Sequence, residues 1–309
     1  TLSNFSSTFN IPVSETQAGK SSLSSSHPLN VGGLGVTGTL PANVLAKKAD
    51  LIIAIGTRLQ DFTTSSKKGF KSDAEIIHLN VSSFDALKMD AFSLIADAKA
   101  GLDQIADGLK KKSYVTEDVY QEEIKTLQNE WKAELQKIWN VYPEKGIAQS
   151  TVLGIINEFV GADDTIICAA GSLPGDLHRI WQSKAPKDYH LEYAFSCMGY
   201  EVAGGLGVKL AKKSGEVYVL VGDGSFLMLH SELLTSIQEH QKINIILFDN
   251  SGYQCIKNLQ ESAGSEGFGN EFRYRGNDNR LSGEKVQIDF TGFAKSLVLK
   301  GYSLQILIL

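Results

Sequence analysis

Glu216-Val-Tyr-Val-Leu-Val-Gly-Asp-Gly-Ser225 reads as a strand that runs straight into the first turn of a helix. The apolar run Val217–Val221 has no polar alternation, the pattern of a parallel strand covered on both faces. Gly222 and Gly224 permit a sharp turn and a close approach by another group. Twenty-six residues beyond Gly224, Asn250 follows the next apolar run, Ile243-Asn-Ile-Ile-Leu-Phe248, in Phe248-Asp-Asn-Ser-Gly-Tyr253. A helix is predicted between them over Phe226–Glu239. The segment is therefore one strand–helix–strand unit, which places both strand ends at the same edge of a parallel sheet. Asp223 and Asn250 emerge there together, where open α/β sheets bind their ligands.

The residue types suit one chemistry. The Asp223 carboxylate, the Asn250 amide oxygen and the Gly252 carbonyl make a set of hard oxygen ligands. Magnesium takes such ligands and completes its octahedron with phosphate oxygens and water. A helix starting near Ser225 turns free N–H groups toward an anion. Gly-Asp-Gly followed at this distance by Asn resembles the thiamine diphosphate motif.

Further stretches extend the resemblance. Phe195-Ser-Cys-Met-Gly-Tyr-Glu-Val-Ala-Gly-Gly-Leu-Gly207 is similar to the segment of acetolactate-synthase-like enzymes in which a bulky residue props the cofactor in its bent form. Met198 stands at that position, followed by Gly199; the family's Leu-Pro is absent. The other reading of Met198 is a core methionine beside a helix-packing glycine cluster. Gly171-Ser-Leu-Pro-Gly-Asp-Leu-His-Arg-Ile-Trp181 is similar to the loop that meets the diphosphate, with His178 three residues before the tryptophan. A surface or core histidine is the other reading of His178.

Phe9–Ser21, Gly56–Lys67, Phe226–Leu233 and the segment Asn258–Arg275 resemble the trihydroxycyclohexane-1,2-dione hydrolase family of myo-inositol catabolism. The resemblance implies a hydrolase that opens the ring of a cyclic polyhydroxy dione at a C–C bond, giving 5-deoxyglucuronate. It implies thiamine diphosphate and Mg2+ as cofactors. Gly222, Asp223, Gly224, Ser225, Asn250, Gly252, Met198, Gly199 and His178 are the expected cofactor-binding residues, with Asp223, Asn250 and Gly252 on the metal. Gln254, Asn258, Gln260 and Arg273 are candidates for contact with the substrate. The family's catalytic glutamate lies in a pyrimidine-binding domain to which no residue here corresponds. The expectation is a fragment, inactive alone, of an enzyme that is a homo-oligomer at full length. The apolar end, Lys300–Leu309, departs from the family and points the same way. An acetolactate-synthase-like lyase or ligase, and a non-catalytic cofactor-binding fragment, are the alternatives.

Working outward, the 309 residues suggest about two domains at roughly 150 residues each. Apolar residues at 42% suffice for two cores, and a net charge of −5 gives no case for nucleic acid or an anionic membrane. The apolar runs are too short to span a bilayer. Three dispersed cysteines form neither a disulfide framework nor a metal motif, so a cytoplasmic location is expected. Cys197 as a nucleophile lacks an evident base.

Leu51–Ile55 and Glu75–Val81 read as strands buried on both faces, Phe92–Ile95 as a third, and Leu40–Lys48 and Ala100–Leu109 as helices. Tyr120, Ile124, Leu127, Trp131, Leu135 and Ile138 form one stripe of an amphipathic helix. The expected fold is α/β, two doubly wound parallel-sheet domains joined by a helical connector. Residues 1–111 form the central domain, 112–146 the connector and 147–309 the diphosphate-binding domain. Gly33-Leu-Gly-Val-Thr-Gly38 matches a dinucleotide fingerprint, but a Ser-rich loop rather than a strand is expected before it, and no acid follows at the right distance.

Overall fold

The structure, a computed structural model, describes residues 1–144, 146–193 and 195–303. The last six residues of the apolar C-terminal stretch lie outside them. The chain forms two compact units, one of residues 1–140 with 176–189, the other of residues 141–175 with 190–309.

The first unit begins with α1 (Leu2–Phe9), then β1 (Val13–Glu15), β2 (Asn30–Gly33), α2 (Leu40–Lys48), β3 (Leu51–Ile55), α3 (Asp61–Thr64), β4 (Glu75–Asn80), α4 (Ser83–Ala86), β5 (Phe92–Ile95), α5 (Ala98–Lys111) and α6 (Asp118–Trp139). β1 and β2 pair in parallel, and β3-β4-β5 make a second parallel sheet. Each β3–β4–β5 step crosses over through helical chain, the connection parallel strands require. β3 is an edge strand. Of its five residues only Ala54 is buried, and Leu51 is exposed, so the expectation of burial on both faces does not hold there.

The N-terminal residues form α1, whose Phe5 and Phe9 rings pack edge to face at 5.2 Å and join Leu79 and Leu102 in one core. Thr39 caps α2 by accepting the Ala42 N–H, with Pro41 in its first turn, where the missing N–H costs nothing. α6 belongs to this unit. Its Ile124, with Tyr120 and Leu127 beside it, packs on Leu29, Val31, Ala42 and Leu45, which accounts for the first half of the apolar stripe.

The second unit continues with α7 (Gln149–Phe159), β6 (Thr165–Cys168), α8 (Leu173–Ile180), β7 (Tyr189–Leu191), α9 (Tyr200–Ala211), β8 (Val217–Gly222), α10 (Asp223–Met228), α11 (Glu232–Gln238), β9 (Asn244–Phe248), α12 (Gln254–Ser262) and α13 (Phe290–Ser296). From Asp176 onward α8 groups with the first unit. The sheet order is β7-β6-β8-β9, with β6, β8 and β9 mutually parallel. All of β6 is buried, as are Val217, Val219, Leu220 and Val221 of β8, the burial that a continuous apolar run predicts. Val217, Val219 and Val221 pack with Ile167, Val202, Phe226 and Leu233, and with the partly buried Phe290 and Phe293.

One expected helix is two. The chain leaves helical geometry at Leu229 (φ −153°, ψ 83°), so Phe226–Glu239 divides into α10 and α11. The segment 261–285, read as a loop, is tied down by antiparallel bridges between Gly252 and Glu271 and between Arg273 and Lys285.

Candidate functional site

Asp223 begins α10 directly where β8 ends, one residue after Gly222, and is buried. Its Oδ1 accepts the Gly224 N–H at 2.8 Å. Its Oδ2 accepts the N–H of Gly252 at 2.9 Å and that of Asn250 at 3.3 Å. The strand–helix–strand unit thus brings Asp223, Asn250 and Gly252 to one sheet edge, because β8 and β9 are hydrogen-bonded neighbours running the same way. The Asn250 side chain is exposed there. Burial pushes the Asp223 carboxyl above the usual carboxylate range. The Gly224 and Gly252 N–H groups oppose that shift, and the neighbouring Asp249 carboxyl adds to it. Asp249 was not anticipated in this role; its own Oδ1 accepts the Ser251 N–H.

The glycines differ in what they do. A Cβ on Gly222 would meet nothing within 4 Å, so open space lies beside the strand end. A Cβ on Gly224 would strike the Tyr253 ring at 2.4 Å, so this glycine lets the aromatic ring close over the turn. Gly252 has φ +148°, and a Cβ there would lie 2.2 Å from the Asn270 carbonyl oxygen. Among the described residues no cluster of three or more His, Cys, Asp or Glu could hold a metal. A cation at this edge would therefore rest on the Asp223 carboxylate with neutral amide and carbonyl oxygens. That donor set, beside open space at Gly222, fits a hard divalent ion that shares its shell with phosphate oxygens.

Ser225 and Gly199 meet next to it. The Gly199 N–H donates to Ser225 Oγ at 2.7 Å and to Glu201 Oε2 at 3.1 Å. Met198 precedes this junction with 36% of its surface exposed, which is not the setting of a core methionine. Glu201, buried and bonded to both neighbours, had no signal in the sequence: a glutamate in the first turn of a helix reads as solvent-facing.

His178 is held within the other unit by its own partners. It belongs to the first unit, 1% exposed, and both ring nitrogens are used there. Nε2 donates to the Glu15 carbonyl at 2.9 Å, since a carbonyl only accepts, and Nδ1 then accepts from Thr37 Oγ1 at 3.0 Å. Burial, with the Lys20 ammonium nearby, lowers its pKa to about 3, so the ring is neutral. The Lys20 Nζ is itself buried and donates to the His178 carbonyl at 3.1 Å. This is a core histidine, with no ring nitrogen left for a phosphate.

The candidate substrate residues are partly spent on their own loop. Gln260 Oε1 accepts the Phe268 N–H and Asn270 Nδ2, both at 2.8 Å. Arg273 bonds Glu271 and the Gly283 carbonyl. Gln254 Nε2 donates to the Asn250 carbonyl at 3.3 Å, and Asn258 is exposed. The Cys197 thiol is pushed up by desolvation and the adjacent Glu192, the opposite of an activated nucleophile.

The fingerprint Gly33–Gly38 does follow a strand, β2, contrary to expectation, and precedes the helix expected over Leu40–Lys48, α2. It offers no cradle. A Cβ on Gly35 would lie 2.0 Å from the Phe62 carbonyl oxygen, and Asn43 bonds both the N–H and the carbonyl of Gly35 at 2.9 Å. The chain fills its own loop. No helix among the described residues is long and apolar enough to cross a membrane.

Comparison with known proteins adds the lineage. The model of the thiamine pyrophosphate enzyme central domain matches residues 1–105, and that of the C-terminal TPP binding domain matches residues 169–306. The chain is similar to the 3D-(3,5/4)-trihydroxycyclohexane-1,2-dione hydrolase of Clostridium tetani (strain Massachusetts / E88), at 49% identity over 327 aligned positions, covering 97% of this chain and 50% of that protein. The like-named proteins of Clostridium botulinum (strain Alaska E43 / Type E3) and Bacillus cereus (strain AH820) are 46% and 48% identical, covering 98% and 97% of this chain and 50% of each relative. The chain spans about half the length of the curated relatives it matches. With one match on each α/β unit, the chain belongs to the thiamine pyrophosphate enzymes, of which it carries the central and the C-terminal cofactor-binding domains.

Proposed function

We propose that this chain supplies the diphosphate- and metal-holding part of a thiamine diphosphate-dependent hydrolase that opens the ring of a trihydroxycyclohexane-1,2-dione at a C–C bond. The observation that carries the reading is the buried Asp223 carboxylate, pinned by the N–H groups of Gly224 and Gly252 beside Asn250 at one sheet edge. The names of the relatives support the substrate class, a small cyclic polyhydroxy dione, and the sequence resemblance is the ground on which we place the reaction in myo-inositol catabolism.

In this reading Asp223, Asn250 and the Gly252 carbonyl hold Mg2+. Gly222, Gly224 and Ser225 border the diphosphate, and Met198 and Gly199 border the rest of the cofactor. When bound, thiamine diphosphate supplies an electron sink for cleaving the bond next to a carbonyl. The protein's part is to fix the anion and the cation and to keep the turn geometry rigid. We assign residues 1–111 to the central domain, 112–146 to a helical connector and 147–309 to the diphosphate domain, and place the assembled enzyme in the cytoplasm as a homo-oligomer.

Calorimetric titration of thiamine diphosphate into this chain, with and without Mg2+, tests the site. Binding that requires Mg2+ supports the reading; no binding at millimolar cofactor with Mg2+ present overturns it for this chain. Incubation with the dione, followed by mass spectrometry, tells whether the chain alone turns over substrate; release of a six-carbon acid would overturn its expected inactivity.

A further inference from the structure

Glu201 is fully buried in the first turn of α9. No lysine, arginine or histidine pairs with it among the described ion pairs. Its carboxylate is met instead by neutral donors from three separate segments. Oε1 accepts the Ala170 N–H at 3.3 Å and the Ser225 hydroxyl at 2.9 Å. Oε2 accepts the Gly199 N–H at 3.1 Å and shares the Ser225 hydroxyl at 2.8 Å. Ser225 Oγ accepts the Gly199 N–H in turn, closing a ring of bonds.

The three segments have a common address. Ala170 lies two residues past β6, Ser225 three residues past β8, and Gly199 caps α9 immediately after Met198. β6 and β8 are parallel neighbours, so Ala170 and Ser225 leave the same sheet edge as Asp223. A buried carboxyl without a cation costs stability, and burial pushes this one above its usual range. An apolar side chain of similar volume would avoid the cost of burying the charge but would withdraw the acceptor from the Ala170 and Gly199 N–H groups. What it could not do is hold three turns to one another through directed bonds.

We infer that Glu201 is a positioning residue, which locks the Met198–Gly199 turn to the Asp223–Ser225 turn so that both face one ligand in fixed geometry. The inference rests on the cofactor reading above for the identity of that ligand, but the lock itself does not. Glu201→Gln keeps the volume and removes the charge, yet turns an N–H toward a donor that needs an acceptor. Glu201→Met keeps the volume and has no acceptor of comparable strength, which provides a second variant if the first does not fold.

The test has two arms on the purified chain. In the first, thermal melting and Mg2+-dependent thiamine diphosphate affinity are measured together. The variants withdraw the acceptor from buried donors and are expected to melt lower, and, at temperatures where they remain folded, to bind about tenfold or more weakly, the range for losing a group that orients ligands. A purely structural glutamate would lower the melting temperature and leave the affinity of folded molecules alone, and that result overturns the inference. In the second arm, hydrogen exchange is followed at residues 197–200 and 223–226 without cofactor. Faster exchange in both segments, beyond any change in segments away from this sheet edge, supports the lock; wild-type exchange in the two segments overturns it. Failure of the wild-type chain to bind cofactor overturns the functional reading instead, and the exchange arm still decides on Glu201.

Discussion

Asp223 Oδ2 accepts the N–H of Gly252 at 2.9 Å, across 29 positions of sequence. The carboxylate expected to hold the metal is therefore also the pin between the turns that follow β8 and β9. Its second oxygen is held by the Gly224 N–H, so the group cannot swing away from the sheet edge. A ligand arriving there meets an acceptor already aimed, and the ordering cost is carried by the fold.

Asp223→Asn strikes the pin and the charge together. The amide keeps the shape but loses the charge and presents an N–H where only acceptors fit. Mg2+-dependent affinity for thiamine diphosphate is expected to fall by about a hundredfold, the upper range for disturbing a metal's surroundings. Calorimetry checks it, with circular dichroism confirming the folded state. Wild-type affinity in the variant would remove Asp223 from the site.

Gly222 and Gly252 flank the same group and make opposite predictions. Gly252→Ala forces a Cβ to 2.2 Å from the Asn270 carbonyl oxygen, on a backbone of φ +148°. It should cost about 1–3 kcal/mol of stability in urea denaturation, the range for a strained residue. Gly222→Ala meets nothing within 4 Å and has the ordinary φ of −76°, so its stability should stay within about 0.5 kcal/mol of wild type. The added methyl occupies the open side of the strand end, where a diphosphate would approach, and should weaken cofactor binding nonetheless. Loss of stability without loss of affinity at Gly222 would move the ligand elsewhere.

Local signals carried this much and no further. The β8–turn–β9 unit was legible because parallel strands here are continuous apolar runs ending in glycine and polar residues. The break at Leu229 was not, since Phe226 and Leu233 join the same core at a seven-residue spacing that a single helix would also give. Neither proline nor glycine marks the interruption. β2 escaped notice because Asn30-Val-Gly-Gly33 has no apolar run; its pairing with β1 makes it a strand. Glu201 was invisible for a similar reason: beyond its own turn, its partners stand 24 and 31 positions away.

The stripe on α6 gives a packing prediction. Ile124 is buried against Leu29, Val31, Ala42 and Leu45, whereas Val119 on the same helix is largely exposed. Ile124→Ala should destabilise the chain by about 2–5 kcal/mol through lost burial and the cavity left behind. Val119→Ala should change stability by less than about 0.5 kcal/mol. Equal effects in chemical denaturation would mean that α6 does not dock through this stripe.

His178 sets an acid limit on the fold. Its pKa is lowered to about 3 by burial and by the Lys20 charge, against an ordinary value of 6.5. Between those values the unfolded chain binds a proton that the folded chain does not, so stability attached to this ring is complete above pH 6.5 and is lost as pH falls toward 3. The slope is up to about 1.4 kcal/mol per pH unit. Glu15 and Asp188, raised by burial, act in the opposite sense: the folded chain takes up their protons more readily, and they favour folding as pH falls. Comparison with His178→Gln removes the shared carboxyl contribution. Gln is expected to be the less stable at pH 7.5, having lost the paired bonds to Glu15 and Thr37. The gap between the two proteins should then narrow steadily from pH 6.5 to pH 4.5 in urea titrations. A gap that stayed constant would mean that the ring protonates in the folded chain as readily as in the unfolded one, and that the bond from Nε2 to the Glu15 carbonyl does not hold it neutral.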